Sequence, residues 1–251
     1  MPSCRPLFLA IVAASLVVPG VAAACGVSGP DGASLCALAG GGGPKWRVTA
    51  AGVYTATRLT FGDGIKGDNT RGGATVSLGY QTSPRVVLQT GIGALLGGTF
   101  DAPNGRHTFS PGFLATAGAS WRVFGGPEVD ETSGEAVDKN PFVVVSAALS
   151  FLSSTTTRGN ERAVGYNAFD LRGGVVVGVT LAERFRPYLL GRTFGGPAFW
   201  RYEGAAKQGT DLYHVQVGGG ASVALGKGWA IYGEGVPLGE RGVSGGLSTS
   251  L

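Results

Sequence analysis

Two pairs of polar residues have the side-chain types needed for hydrolytic chemistry. Asp211 with His214 could activate a water molecule, and His107 with Ser110 could act as base and nucleophile. The members of each pair are three residues apart, and side chains an odd number apart on a strand point to opposite faces. The chain has 2 histidines in all. We therefore expect no catalytic residues, and a hydrolase or acyltransferase is only the third function that we consider.

A second group of polar residues lies within alternating segments, on the side away from the apolar residues. Buried charges must be paired, so we expect a network of arginines and carboxylates, with Glu234 bound to Arg192 or Arg172. Such a network either fills the interior of a closed sheet or lines a narrow polar pore, and we favour the first. The predicted inward residues are Arg47, Gln89, Arg122, Asp170, Arg172, Arg192, Gln216 and Glu234.

Strands must position these residues, and residues 74–100 show the pattern most clearly. Apolar residues alternate there with small or polar residues in two runs, separated by a turn at 83–85. A period of two predicts strands with two unlike faces. The second face is Gly, Ser, Thr and Gln with almost no charge, which is typical of a strand between lipid and a crowded barrel interior. Strands are predicted near residues 46–58, 73–82, 86–100, 109–124, 141–153, 166–181, 185–194, 212–225, 229–237 and 242–251.

The predicted fold is all-β: a transmembrane up-and-down antiparallel barrel of about ten strands, with eight as the alternative. Charged residues make up 14% of the chain, against about 25% in ordinary soluble domains. Short turns at one end and long loops at the other are expected for such a barrel. Residues 83–85, 182–184 and 226–228 form the short set, and 59–72, 101–108, 154–165 and 195–211 form the long set. The long acidic segment 125–140 and the short turn at 238–241 do not fit this rule.

Aromatic residues cluster near the ends of the predicted strands rather than at their centres. Amphipathic rings prefer the two membrane interfaces, so this distribution predicts two aromatic girdles. We assign Trp46, Tyr80, Trp121, Tyr188 and Trp229 to one girdle, and Phe100, Phe151 and Tyr213 to the other.

The N-terminal part has the features of an exported chain. Residues 1–24 resemble a cleaved signal peptide, with one basic residue, an apolar stretch and a small-residue site. Residues 25–45 form a Gly-rich periplasmic leader, and 46–251 form the barrel. Cys25 and Cys36 in the leader form a disulfide, or Cys25 is lipidated, or both remain free thiols; the first is our preferred interpretation.

The C-terminus completes a family resemblance. Ser244, Gly246, Thr249 and Leu251 have the spacing of a barrel-assembly signal, and the chain from 46 to 251 resembles small bacterial outer-membrane β-barrel proteins of the OmpA/OmpX-like or opacity-type class. The resemblance implies a location in the bacterial outer membrane, and contact with its lipid, with lipopolysaccharide and with the barrel-assembly machinery. It implies a structural or surface-interaction role. Narrow-pore conduction of small solutes is the alternative, and a hydrolase or acyltransferase at the barrel rim is the third hypothesis.

Composition argues against several other classes. The formal net charge is +4, without a run of Lys or Arg, so we expect no nucleic-acid partner. No cofactor motif or metal-ligand cluster stands out, and we expect no cofactor. The identity of a solute or external ligand and the oligomeric state are left open.

Overall fold

A computed structural model describes residues 27–28, 33–34, 46–129, 136–181, 184–226 and 228–251. The predicted signal peptide (residues 1–24), Cys25 and Cys36 lie outside these residues. Two short strands in the segment predicted as the leader, β1 (Val27–Ser28) and β2 (Ala33–Ser34), pair antiparallel. The remaining strands are β3 (Trp46–Phe61), β4 (Lys66–Ser83), β5 (Val86–Ala102), β6 (Gly105–Phe109), β7 (Gly112–Val129), β8 (Ala136–Thr157), β9 (Val164–Gly178), β10 (Phe185–Gly195), β11 (Ala198–Tyr202), β12 (Ala205–Asp211), β13 (Val215–Gly226), β14 (Trp229–Leu238) and β15 (Arg241–Ser250).

Strands β3 to β15 close into an antiparallel barrel whose wall has ten positions. Sequential neighbours pair around the ring, and β15 returns to β3, so the sheet has no free edge. Three positions are each filled by two strands in succession: β6 with β7, β10 with β11, and β12 with β13. The prediction of an up-and-down barrel of ten strands is confirmed. One short 3₁₀ turn, Gly62–Gly64, links β3 to β4, and no helix among the described residues has the length and hydropathy to cross a bilayer.

The wall is taller on one side than on the other. Strand β15 pairs with β3 only as far as Arg241 opposite Ala56, and beyond that point β12 takes its place, with Asp211 opposite Leu59. The β14–β15 hairpin therefore ends below the top of the barrel, and above it β12 pairs directly with β3. We call the part above this hairpin the upper rim, and the opposite end, which carries the turn at 83–85, the lower end. The short turn at 238–241 is explained, because two wall positions stop there.

The segments predicted as long loops are mostly strand, and that prediction was wrong. Strand pairing continues through most of 59–72, 101–108 and 195–211, and through half of 154–165, where residues 158–163 form a loop. Buried aromatic side chains supply the physical reason, since Phe61 and Trp200 face the interior and pack together there. The acidic segment is likewise largely a hairpin extension, because β7 and β8 pair up to Val129 opposite Ala136.

Two residues assigned to the aromatic girdles face the interior instead, so those assignments were wrong. Phe100 is buried because β5 contains a bulge: Leu95 and Gly97 pair with consecutive residues of β4, and Leu96 between them is an extra residue. Beyond the bulge, the residues that would have faced outward face the interior. Tyr188 is buried because it lies four residues from inward-facing Arg192 on the same strand. A period of two places both residues on one face.

Candidate functional site: the barrel interior

All eight polar residues predicted to point inward are located in the barrel interior. Their side chains alternate with exposed residues along the strands, and each lies at a buried position except Asp170, which is partly buried. The structure brings five of them into direct contact in two groups near the middle of the barrel. The residues in these contacts are Arg192 with Glu234, and Arg172 with Asp170 and Gln216.

Arg192 of β10 and Glu234 of β14 form a bidentate ion pair. The two terminal guanidinium nitrogens of Arg192 donate to the two carboxylate oxygens of Glu234 at 3.0 and 2.9 Å. The hydroxyl of Tyr188 also donates to Glu234, at 3.3 Å. Both charged side chains are almost fully buried, so each compensates the cost of removing the other from water.

Arg172 of β9 is the centre of the second group. Its guanidinium donates to Asp170, to Glu240 at 2.6 Å and to Gln216 at 3.3 Å, and it lies over the ring of Phe194. Planar, forked guanidinium geometry suits such simultaneous contacts with two carboxylates and a ring. The group therefore ties β9, β13 and the β14–β15 turn together across the interior.

Glu240 is a buried charged residue of this group that sequence reasoning missed. It lies in the turn between β14 and β15, its side chain is 1% exposed, and its carboxylate also accepts from Gln216 Nε2 at 2.9 Å. Arg71 approaches its other oxygen at 3.7 Å. Alternation assigns no direction to a turn residue, so the period of two could not place Glu240. The preceding residue, Gly239, has a φ of 87°, which favours glycine. A glycine at this position is the sequence signal of a tight turn.

Apolar clusters lie on both sides of these polar groups. The lower cluster packs Val87, Phe142, Val144, Val176, Tyr188, Leu190 and Val236. The upper cluster includes Leu59, Phe61, Leu95, Phe100, Phe109, Leu114, Leu152, Tyr166, Ala198 and Trp200. Trp200 is central to the upper cluster, with its ring centroid 4.8 Å from that of Phe100 and 5.6 Å from that of Phe61. Together the clusters fill the barrel interior above and below the charged groups.

Small voids lie between the side chains near the middle of the barrel. One of about 50 Å³ lies below the upper cluster and touches Arg71, Asp170, Arg172 and Asp211. A smaller one of about 20 Å³ lies around Arg172, Arg192 and Glu234. A void of this size holds a few water molecules and no larger solute. Val53, Thr55 and Arg172 line both voids.

Polar contacts continue towards the lower end. A terminal guanidinium nitrogen of Arg47 donates to Ser250 at 2.8 Å, and Gln89 donates to Ser77 at 2.8 Å. Arg122 is also buried there, 1% exposed, and it makes further interactions. The interior of the lower end is thus also occupied by ordered polar side chains.

The remaining residues of the two predicted girdles lie on the outward face. Trp46 and Tyr80 stack at 4.5 Å between ring centroids at the lower end, and Phe151 contacts Phe169 at 4.8 Å near the upper rim. Trp121 and Tyr213 are exposed, and Trp229 is half-buried.

Neither pair of residues considered for catalysis is assembled. His107 contacts Asn104, with 3.0 Å between Nε2 and Oδ1, and His214 lies 3.2 Å from the carbonyl oxygen of Phe194. Asp211 accepts instead from the hydroxyl of Thr57, at 3.0 Å. Within the described part of the chain, neither histidine hydrogen-bonds to a serine hydroxyl or to a carboxylate.

His107 in the upper rim gives a testable pH dependence. Burial, together with the positive charge of Arg158, lowers the pKa of His107 below its ordinary value of about 6.5. The unfolded chain therefore takes up a proton at a higher pH than the folded chain does. We expect the contribution of His107 to the free energy of unfolding to be constant above about pH 6.5. It should fall as the pH drops from there towards the pKa of His107 in the folded protein. NMR titration of the imidazole signals, assigned with a His214→Asn variant, checks this; a His107 midpoint at or above 6.5 would contradict it.

No family model and no curated protein matches this chain. Among solved structures, it is similar to the translocator domain of the autotransporter NalP from Neisseria meningitidis, with 14% identity, 84% of this chain and 90% of that chain covered, and a TM-score of 0.43. The transport unit of the autotransporter AIDA-I from Escherichia coli matches with 10% identity, 82% and 89% coverage and a TM-score of 0.41. An outer membrane channel from Pseudomonas putida F1 matches with 9% identity, 84% and 97% coverage and a TM-score of 0.40. These values are too low to assign a family.

Proposed function

We propose that this protein is an integral barrel of the bacterial outer membrane. Each of the ten wall positions carries a large apolar side chain that is at least about two-fifths exposed, which is unfavourable in water and favourable in lipid. The closed ring satisfies the backbone hydrogen bonds that lipid cannot. The exposed apolar side chains include Tyr54, Val76, Ile92, Phe113, Leu149, Leu171, Leu189, Val217, Ile231 and Val243. Export by the segment 1–24 and insertion by the barrel-assembly machinery are part of this proposal.

The role that fits the interior best is structural or surface-interacting, without catalysis. The observation that carries this proposal is that two apolar clusters and the ion pairs between them fill most of the interior and leave small voids beside Arg172. A barrel of ten strands leaves little free space inside, and here side chains occupy it. Binding and recognition then fall to the outer surface and the upper rim.

Conductance tests the closed interior. In a planar lipid bilayer, the natural protein is expected to show no discrete openings. Glu240→Ala is expected to produce small openings, because Arg172 and Gln216 lose a shared acceptor and the β14–β15 turn loses its inward anchor. The loss of one negative charge makes the interior more positive, which should favour anions over cations.

Glu203→Ala is the matched control, because Glu203 lies exposed in the turn at the tip of the upper rim. It should remain silent, as the natural protein does. Steady openings of the natural protein at neutral pH would contradict the closed interior.

Narrow-pore conduction of small solutes is the second candidate function. It is favoured by the two voids, which share Arg172 in their linings and are lined in part by charged groups. Movement of the Arg172 side chain would enlarge the polar space beside it. Openings of the natural protein that respond to an Arg172→Lys substitution would support this function over the first.

A further inference from the structure

The upper rim carries an open groove on its outward face, where β9, β11 and β12 pair. Phe199 lies opposite Asn167 on one side and Gln208 on the other, and Arg201 lies opposite Ala206. The groove has a volume of about 840 Å³ and extends to Arg162, just before β9. It lies outside the barrel interior and shares none of the ion pairs described there.

The groove is positively charged. Arg162 and Arg201 are both exposed, and among the described residues neither forms an ion pair with a carboxylate. The carboxylate next to Arg162 in sequence, Glu161, is bound by Arg158 through two guanidinium nitrogens, which also lowers the pKa of Glu161. The carboxylate nearest to Arg201 in sequence, Glu203, is exposed in the turn that follows β11. The two free guanidinium groups are therefore available to an anion, and their forked geometry suits phosphate.

The groove also spans the boundary between apolar and polar surface. Along the outward face of β9, Leu171 and Phe169 are exposed apolar residues, and Asn167 follows as the first polar residue. Phe199 is 41% exposed and lies beside Asn167, so its ring is at the top of the apolar belt. Arg201 is two residues further up the same strand and face. Aromatic rings below and guanidinium groups above match a lipid whose phosphate joins its acyl part to a sugar headgroup.

We propose that this groove binds a phosphorylated glycolipid of the outer leaflet, with Arg162 and Arg201 on a phosphate and Phe199 against the top of the acyl chains. This inference rests on the proposed membrane location and names the partner of the surface-interaction role. A soluble phosphate ester would satisfy the two arginines alone and would leave the exposed Phe199 without a partner. The arrangement therefore favours the lipid.

Native mass spectrometry of the purified full barrel in detergent provides the test, with diphosphorylated lipid A as the probe. The natural protein is expected to retain lipid A. The Arg162→Ala/Arg201→Ala variant is expected to bind lipid A with an affinity lower by a factor of about ten or more, because charge-assisted hydrogen bonds are lost. Phe199→Ala should weaken binding by a smaller factor. Lipid A with its phosphates removed should bind the natural protein as weakly as diphosphorylated lipid A binds the double-arginine variant.

The matched control is Arg85→Ala/Arg184→Ala, which removes two exposed arginines from the lower end and changes the net charge equally. It should bind lipid A as the natural protein does. Equal binding by all variants, equal binding of dephosphorylated lipid A, or displacement of lipid A by millimolar inorganic phosphate would overturn the proposal. Electrophoretic mobility of the same unheated samples in SDS reports the barrel independently: a mobility shift without lipid selectivity contradicts only the groove, and loss of the shift contradicts the membrane location as well.

Discussion

Replacing Glu234 with leucine is expected to lower the free energy of unfolding by about 3–5 kcal/mol, the cost of leaving one member of a buried ion pair without its partner. Arg192 would then remain inside the barrel, where its side chain is 4% exposed, without the two contacts that it makes to Glu234. Tyr188 would lose its acceptor as well. Urea unfolding of the protein in lipid vesicles, followed by tryptophan fluorescence, measures the change.

A second variant separates the loss of a charge from the loss of a side chain. Arg192→Met/Glu234→Leu replaces the pair with apolar groups of similar volume, and we expect it to recover most of the lost stability. Arg58→Met is the control for an ordinary surface pair. Arg58 Nε lies 2.6 Å from Asp68 Oδ1, but the two side chains are 45% and 55% exposed, so water screens the pair. If Glu234→Leu costs no more than Arg58→Met, the ion pair does not stabilise the interior.

Replacing Trp200 with alanine is expected to have an effect of similar size, about 3–5 kcal/mol, as for other large aromatic side chains removed from a packed core. Trp200 is 2% exposed, its ring contacts those of Phe61, Phe100 and His107, and its Nε1 donates to Thr156 Oγ1 at 3.0 Å. The substitution leaves a cavity in the middle of the upper cluster. The same urea unfolding measures it.

Phe199→Ala is the matched control, because Phe199 precedes Trp200 on β11 and points to the opposite face. Its ring is 41% exposed, so we expect a loss of about 1 kcal/mol or less. Equal losses for the two variants would show that the upper rim is not packed from the inside, and that the predicted loop over 195–211 was the better description.

The ring of ten strands followed from local pattern alone, because side-chain direction alternates strictly along a strand. Arg192 and Glu234 could thus both be predicted to point inward, each from its own strand. The choice between Arg192 and Arg172 as the partner of Glu234 could not be made in this way. It depends on how β10 and β14 are staggered through β13, and no short stretch of sequence records that stagger.

The errors arose where alternation is interrupted or undefined. The bulge at Leu96 and Gly97 turned Phe100 inward, and a one-residue insertion leaves no trace in composition. Glu240 lies in a turn, where a period of two has no meaning. The upper rim was predicted as loops because its strands carry charged residues outside, as Arg201 does. Phe100, one of the aromatic residues in its interior, was assigned to a lipid interface instead.

The most direct test of the membrane barrel is electrophoretic mobility in SDS, with and without boiling, of protein recovered from a purified outer-membrane fraction. The ring closed by β15 and β3 and the filled interior predict that the unboiled protein stays folded and migrates faster than the boiled protein. Recovery from the soluble periplasm with no difference in mobility would contradict the account, because the exposed apolar wall would then have to be covered by something other than lipid.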